Sequence, residues 1–248
     1  MTSERNLGLT KRAKAAGLLI VAGGFIASML AFTNVSTNLS FTRADGIGLD
    51  LGDGGWAVWA LLLILGSTNA VNLTDGLDGL AAGSAILGFA AFTVIGFWAF
   101  RNPDVYGYPH ALDLAVVAAA MLGACTGFLW WNAAPAQIIM GDTGALAIGA
   151  AFATLALGNN THLLLPIVGG LYVLVTMSVI LQVGSYQLTG KRIFRMAPIH
   201  HHFELAGWPE TTIIIRFWIL AGMSTAIALG TYYADFIRTT GVGRAVSG

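Results

Sequence analysis

Charge is what this sequence has least of. Of 248 residues, 12 are Lys or Arg and 12 are Asp or Glu, and the net charge is zero. A charged share of 10% falls far below the roughly 25% typical of soluble domains, too little to cover a water-facing surface. No basic excess is present to meet nucleic acid, which excludes that partner class. The single cysteine, Cys125, excludes an internal disulfide and a cysteine metal cluster; in its apolar run it reads as a small buried hydrophobe. The pattern G-x-x-x-x-G-K-[ST] is absent, which argues against a P-loop nucleotide site. What is present is apolar: 56% hydrophobic residues and a mean hydropathy of +0.74.

A helix crosses the hydrocarbon core with about 20 apolar residues. Seven runs qualify, at 15–33, 55–71, 79–100, 111–131, 143–158, 162–183 and 212–233. The expected fold is all-α: one polytopic membrane helical bundle over residues 1–248. The basic patch before the first run resembles a signal peptide, but a small-residue cleavage site is lacking and further spans follow. Arg5, Lys11, Arg12 and Lys14 place the N-terminus on the cytoplasmic side by the positive-inside rule. The loops 72–78, 132–142 and 184–211 then share that side, 34–54, 101–110 and 159–161 lie outside, and the C-terminus is outside.

Three polar motifs fall in the cytoplasmic loops. The first, "NAVNLTDGLDGLAAG" at 69–83, spaces Asn69, Asn72, Asp75 and Asp78 three residues apart. On a helix that spacing makes one polar stripe, although Gly76 and Gly79 weaken such a helix. A plain reading is that one of them caps the next helix; this explains one carboxylate better than two. Carboxylates at membrane depth are costly and usually face a cavity or partner. The second, "MGDTGALAIG" at 140–149, sets Asp142 and Thr143 before an apolar helix. Asp142 is an N-cap or a Mg²⁺ ligand, since magnesium uses one or two carboxylates together with substrate phosphates. Asn132 offers an amide nearby, and Trp130 and Trp131 read as interfacial belt residues. The third, "GKRIFRMAPIHHHFELAGWPE" at 190–210, joins Lys191, Arg192 and Arg195 to His200, His201 and His202. Consecutive histidines without cysteine do not suit zinc. Beside three cations they suit phosphate, or the cations only set topology. Carboxylates for a metal and cations for phosphates, together at one membrane face, are the parts phosphoryl transfer requires. A transporter would place its ionisable groups near the midplane on broken helices instead.

These three motifs resemble the phospho-N-acetylmuramoyl-pentapeptide transferase family, within the polyprenyl-phosphate N-acetylhexosamine-1-phosphate transferases. The likeness runs from "LGLTKRAK" to the last span. It implies a ten-span bacterial inner-membrane fold and transfer of phospho-MurNAc-pentapeptide from UDP-MurNAc-pentapeptide to undecaprenyl phosphate. The products are lipid I and UMP, the reaction uses Mg²⁺, and it serves peptidoglycan synthesis. A homodimer is common in the family. By resemblance Asp142 is the Mg²⁺ ligand and a catalytic residue, with His200, His201 and His202 near the phosphates or sugar. Asn72, Asp75 and Asp78 match the nucleotide-sugar site; Gly76, Leu77, Asp78 and Asn132 match the uridine pocket; Gln182 matches a polar position near the end of the long span. The histidine run distinguishes this branch from sister enzymes that use UDP-GlcNAc.

The sequence departs from the family pattern in three places. Ile139 stands where phenylalanine is frequent, and Ala145 where serine is frequent. The family's adjacent Asp-Asp pair, linked to activating the lipid phosphate, occurs nowhere in the chain. The resemblance therefore implies a fragment without about three N-terminal spans and the Asp-Asp segment, either catalytically weak or a nucleotide-binding remnant. Lipid I formation by the chain alone tests this: little or none is expected, and turnover at a normal rate would contradict it.

Overall fold

The computed structural model describes residues 11–241, and for Lys11 the backbone alone. Arg5, one of the residues used above to set orientation, lies outside the described residues. Twelve elements follow in chain order. They are α1 (Lys11–Phe32), β1 (Asn38–Leu39), β2 (Leu49–Asp50), α2 (Gly52–Thr74), α3 (Leu80–Arg101) and α4 (Pro103–Tyr106). Then come α5 (Ala111–Asn132), α6 (Gly141–Gly158), α7 (Leu165–Val168), α8 (Gly170–Thr189), α9 (Ile199–Glu204) and α10 (Glu210–Thr240). The two strands form one short antiparallel ladder. Seven of the helices are long and apolar enough to cross a membrane, and the protein is a polytopic all-α membrane protein. Helices suit this composition because lipid offers backbone groups no hydrogen bonds, so each span must satisfy its own.

The most enclosed span is α3, buried from Leu80 to Ala85 at one end and at Ile95, Gly96 and Ala99 towards the other. It packs along α5, with α10 across another side, while α2 pairs with α6. Phe152 of α6 stacks on Phe89 of α3 at 4.2 Å between centroids, in the space left by Gly88. Small residues set the closest approaches, as expected where dispersion rather than water drives helix association. A Cβ at Gly96 would lie 3.0 Å from the Ala111 carbonyl oxygen, and one at Gly149 would strike the Cα of Thr68. Cys125 is buried, as its apolar run suggested, and Trp130 and Trp131 are exposed.

Two boundaries correct the sequence reading. The expected sixth span, 162–183, is interrupted: α7 ends at Val168, and the span proper is α8, Gly170–Thr189. Pro166 in the first turn of α7 has no N–H to give. Gly170 lies against Ser224 of α10, where a side chain would collide. The span also runs past 183, because Gln182 and Ser185 bond to the chain that follows. In the first motif the helix stops at Thr74, so the four-residue stripe is not one helical face.

Hydrogen bonds sort the loops onto two ends of the bundle. At one end the 33–51 segment is tied down by the Leu163 N–H to Ser40 carbonyl bond (3.0 Å) and by Thr42 and Arg43, which bond Asp235 near the end of α10. Tyr108 donates to Asn159 there, and burial holds the His162 imidazole down at about 4. The three polar motifs lie at the other end.

The tight α2–α6 contact yields a stability prediction. A Cβ at Gly149 would sit 2.6 Å from the Ser67 oxygen and 2.7 Å from the Thr68 nitrogen, whereas Gly123 has nothing within 4 Å. Gly149→Ala should cost about 1–3 kcal/mol through overpacking; Gly123→Ala should be neutral or stabilise by up to about 1 kcal/mol. Unfolding midpoints in detergent check this, and equal midpoints for the two variants would contradict it.

Candidate functional site

Asn72 lies in the last turn of α2, two residues before the helix ends at Thr74. Its amide donates to one oxygen of Asp142 at 2.9 Å, and the other oxygen is ion-paired with Lys14 of α1. Asp142 sits in the first turn of α6 just after Gly141, whose φ of +63° favours glycine. It caps nothing with its side chain: the N-cap of α6 is Met140, and no side-chain cap bond forms. The carboxylate instead joins three helix ends, those of α1, α2 and α6.

The chain then turns sharply through 75–79. Asp75 is the C-cap of α2, and Gly79 enters α3 in the left-handed region at φ +81°. Three neighbours hold this turn. Asn132, buried at the end of α5, accepts from the Gly79 N–H at 3.1 Å and donates to the Ile138 carbonyl at 2.8 Å. Asp78 accepts from the Ala136 N–H at 2.9 Å, and its own N–H donates to Glu210 of α10 at 3.1 Å. Neither Asp75 nor Asp78 caps α3. Asp75 is shifted above the ordinary carboxylate range, first by burial and second by the nearby charge of Asp78.

The histidine run forms α9, held by the bond from the Ile199 N–H to Ser178 (3.0 Å). Its three imidazoles have different surroundings. His200 is fully buried, and among the described residues neither ring nitrogen has a partner; burial, then the neighbouring His201, pulls it down to about 4. His201 pairs through Nδ1 with Glu204, leaving Nε2 towards the 75–79 turn. A Cβ on Gly76 would strike His200 Nε2 and lie 3.2 Å from His201 Nε2, so a glycine there lets α9 meet the turn. His202 faces elsewhere: its Nδ1 accepts from the Arg195 N–H at 3.1 Å.

The structure thus gathers Asn72, Asp75, Gly76, Asp78, Asn132, Asp142, His200 and His201 at one mouth. It does not gather all the expected residues there. Leu77 is 7% exposed and packs with Ile213, Ile214 and Phe217, so its side chain belongs to the core. Gln182 accepts from the N–H groups of Ile193 and Phe194 at 3.0 and 2.9 Å and shapes that loop. Ile139 is 81% exposed, and Ala145 is fully buried, where a serine hydroxyl would need a partner. Lys14 and Glu210 also belong to the mouth. Sequence reading used Lys14 only for orientation, as one of three cations in the first turn of α1, and gave Glu210 no role, though it is the one charge in the first turn of α10.

No group of three or more metal-ligating side chains occurs among the described residues. The donor set suits a hard cation held by one carboxylate and completed by water and substrate oxygens, as magnesium often is.

Comparison with known proteins places this geometry. Residues 6–160 match the glycosyl transferase family 4 description. Proteins named phospho-N-acetylmuramoyl-pentapeptide-transferase are similar throughout. Those from Streptomyces griseus and Thermobifida fusca are each 51% identical, over 95% and 94% of this chain and 70% of their own lengths. The one from Renibacterium salmoninarum is 48% identical over 96% of this chain. The chain belongs to glycosyl transferase family 4, in its phospho-N-acetylmuramoyl-pentapeptide-transferase branch. In this family member part of each quoted motif, Asn72 with the 75–79 turn, Asp142, and His200 with His201, lies at the same end of the bundle.

The state of His200 gives a signed pH prediction. Its folded value of about 4 lies below the ordinary 6.5, so the unfolded chain takes up the proton first. Stability is level above about pH 6.5 and falls towards pH 4, by at most about 1.4 kcal/mol per pH unit for each such group. His162 has the same sign and adds its own share. Thermal midpoints measured from pH 7 to 4.5 should fall less steeply for His200→Asn than for the parent; an equally steep fall would contradict the assignment.

Proposed function

We propose that the chain carries the metal and donor side of the site that transfers phospho-MurNAc-pentapeptide from UDP-MurNAc-pentapeptide to undecaprenyl phosphate, a reaction whose products are lipid I and UMP. The observation that carries this reading is Asp142, hydrogen-bonded to Asn72 beside the Asp78 turn and α9, in a chain about half identical to relatives that bear the transferase name. In the reaction a phosphate oxygen of the lipid forms a bond to the sugar-bearing phosphorus. The bridging P–O bond breaks, and its oxygen leaves on UMP.

Asp142 would hold Mg²⁺, with Asn72 orienting the carboxylate; when bound, the ion neutralises diphosphate charge. Lys14, which balances Asp142, would be freed to face a phosphate oxygen. His201, its Nδ1 held by Glu204, would present Nε2 to a phosphate oxygen. His200, kept neutral by burial, packs against Gly76 behind the turn and adds no charge there. Asn132 and Glu210 hold the 75–79 turn open as the nucleotide recess. The excess of Lys and Arg at this end, Lys14, Lys191, Arg192 and Arg195 against Arg43 and Arg101 at the other, favours a cytoplasmic mouth in a bacterial inner membrane.

Equilibrium binding tests the reading directly. UDP-MurNAc-pentapeptide should bind the purified protein in Mg²⁺, weaken about ten-fold with EDTA, and outcompete UDP-GlcNAc by about ten-fold, each step being about 1.4 kcal/mol. Asp142→Asn should abolish the Mg²⁺ dependence. Binding indifferent to Mg²⁺, or tighter for UDP-GlcNAc, would contradict the proposal.

A further inference from the structure

A second cleft opens beside α9, and the phosphate chemistry above does not use it. Its volume is about 640 Å³, within the range of sites that enclose a substantial ligand. Gln182, Tyr186 and Gln187 of α8 form one wall; Arg192, Arg195 and Leu205 form the other. None of its lining residues lines the recess around Lys14, Asn72 and Asp142. The cleft borders α9, for the Arg195 N–H bonds His202 and its guanidinium donates to the Leu205 carbonyl at 2.8 Å, while His200 and His201 of the same helix meet the 75–79 turn.

The charge in this cleft is unbalanced. Two guanidinium groups line it and no carboxylate does. Among the described residues neither arginine forms an ion pair, since Glu204 is engaged with His201 and Glu210 with the Asp78 N–H. A planar guanidinium offers paired N–H donors that match a carboxylate. Tyr186 and Gln187, both exposed, add groups able to meet a peptide backbone, and Leu205 adds an apolar wall.

We infer that this cleft is a subsite for the peptide of the donor, with Arg192 and Arg195 pairing its carboxylates. The inference rests on the donor reading above and deepens it. The diphosphate and nucleotide are accommodated at Asp142 and the 75–79 turn; what remains of such a donor is a peptide, and this cleft adjoins α9 on the side of His202. Arg192 reads the charge, because Arg195 is partly committed to the Leu205 carbonyl.

Binding to the full chain in neutral detergent with Mg²⁺ tests this with three probes. They are UDP-MurNAc-pentapeptide, the same compound with its peptide carboxylates converted to amides, and UDP-MurNAc without peptide. The parent protein should bind the acid form about ten-fold more tightly than the amide form, as a charge-assisted pair would give. Arg192→Gln should erase that difference and leave UDP-MurNAc binding unchanged; Arg192→Lys should restore part of it. Equal affinity of the parent for acid and amide forms would overturn the subsite while leaving the donor reading intact. Loss of UDP-MurNAc binding in Arg192→Gln would overturn it too, by assigning the arginine to the phosphates. If added phosphatidylglycerol abolishes the acid preference, the cleft is a lipid headgroup site and the inference fails. No binding of any UDP compound by the parent would sink the donor reading as well.

Discussion

The bundle depends on one close approach, that of the α2 backbone at Thr68 to Gly149 of α6. From there α2 runs one turn to Asn72, and α6 runs back two turns to Asp142, where the two helices are joined again by a hydrogen bond. A larger residue at 149 would part the helices and with them the amide and the carboxylate. Stability and chemistry are thus linked along one interface. The link suits a membrane, where van der Waals packing must do what water exclusion does in a soluble core.

A second constraint follows from the apolar solvent. Irregular backbone is costly inside a bilayer, so turns and unpaired groups are driven to the ends of the spans. Here the ends differ in kind. The far end is a tied-down cap, with Ser40, Thr42 and Arg43 anchored to the 163 turn and to Asp235. The near end is held as firmly but differs in its charged groups: among the described residues two arginines have no counter-charge and His201 keeps one nitrogen open, whereas an unpaired buried imidazole occurs at both ends, His200 here and His162 there. Unspent hydrogen-bonding capacity beside raised and lowered proton affinities is the usual mark of a working site.

Much of this was legible in the sequence. Seven apolar runs foretold seven spans because length and hydropathy decide crossing. The placement of "NLTDGLDG", "GDTG" and "IHHHF" on one side followed from counting spans, and their union at one mouth agrees with it. What was not legible depended on contacts made across the fold. Asp75 and Asp78 looked like a stripe or a cap, yet Asp78 is held by Ala136 and Glu210, 58 and 132 residues away. Leu77 sits among functional neighbours but turns inward, a choice only packing makes. The break before α8 lies inside a mostly apolar run, 162–183, where Pro166 and the pair Gly169–Gly170 mark it in the sequence, and the close approach of Ser224 to Gly170 shows what the glycine is for.

The central claim is that a divalent ion at Asp142 and the imidazoles of α9 share one recess. Mn²⁺, an oxygen-seeking ion that can stand in for Mg²⁺, would report this through paramagnetic broadening of the five histidine ring signals in the presence of UDP-MurNAc-pentapeptide. The account predicts strong broadening of His200 and His201, none of His110 and His162 at the opposite end, and loss of the effect in Asp142→Asn. Broadening confined to the far-end histidines, or unchanged by that substitution, would contradict it.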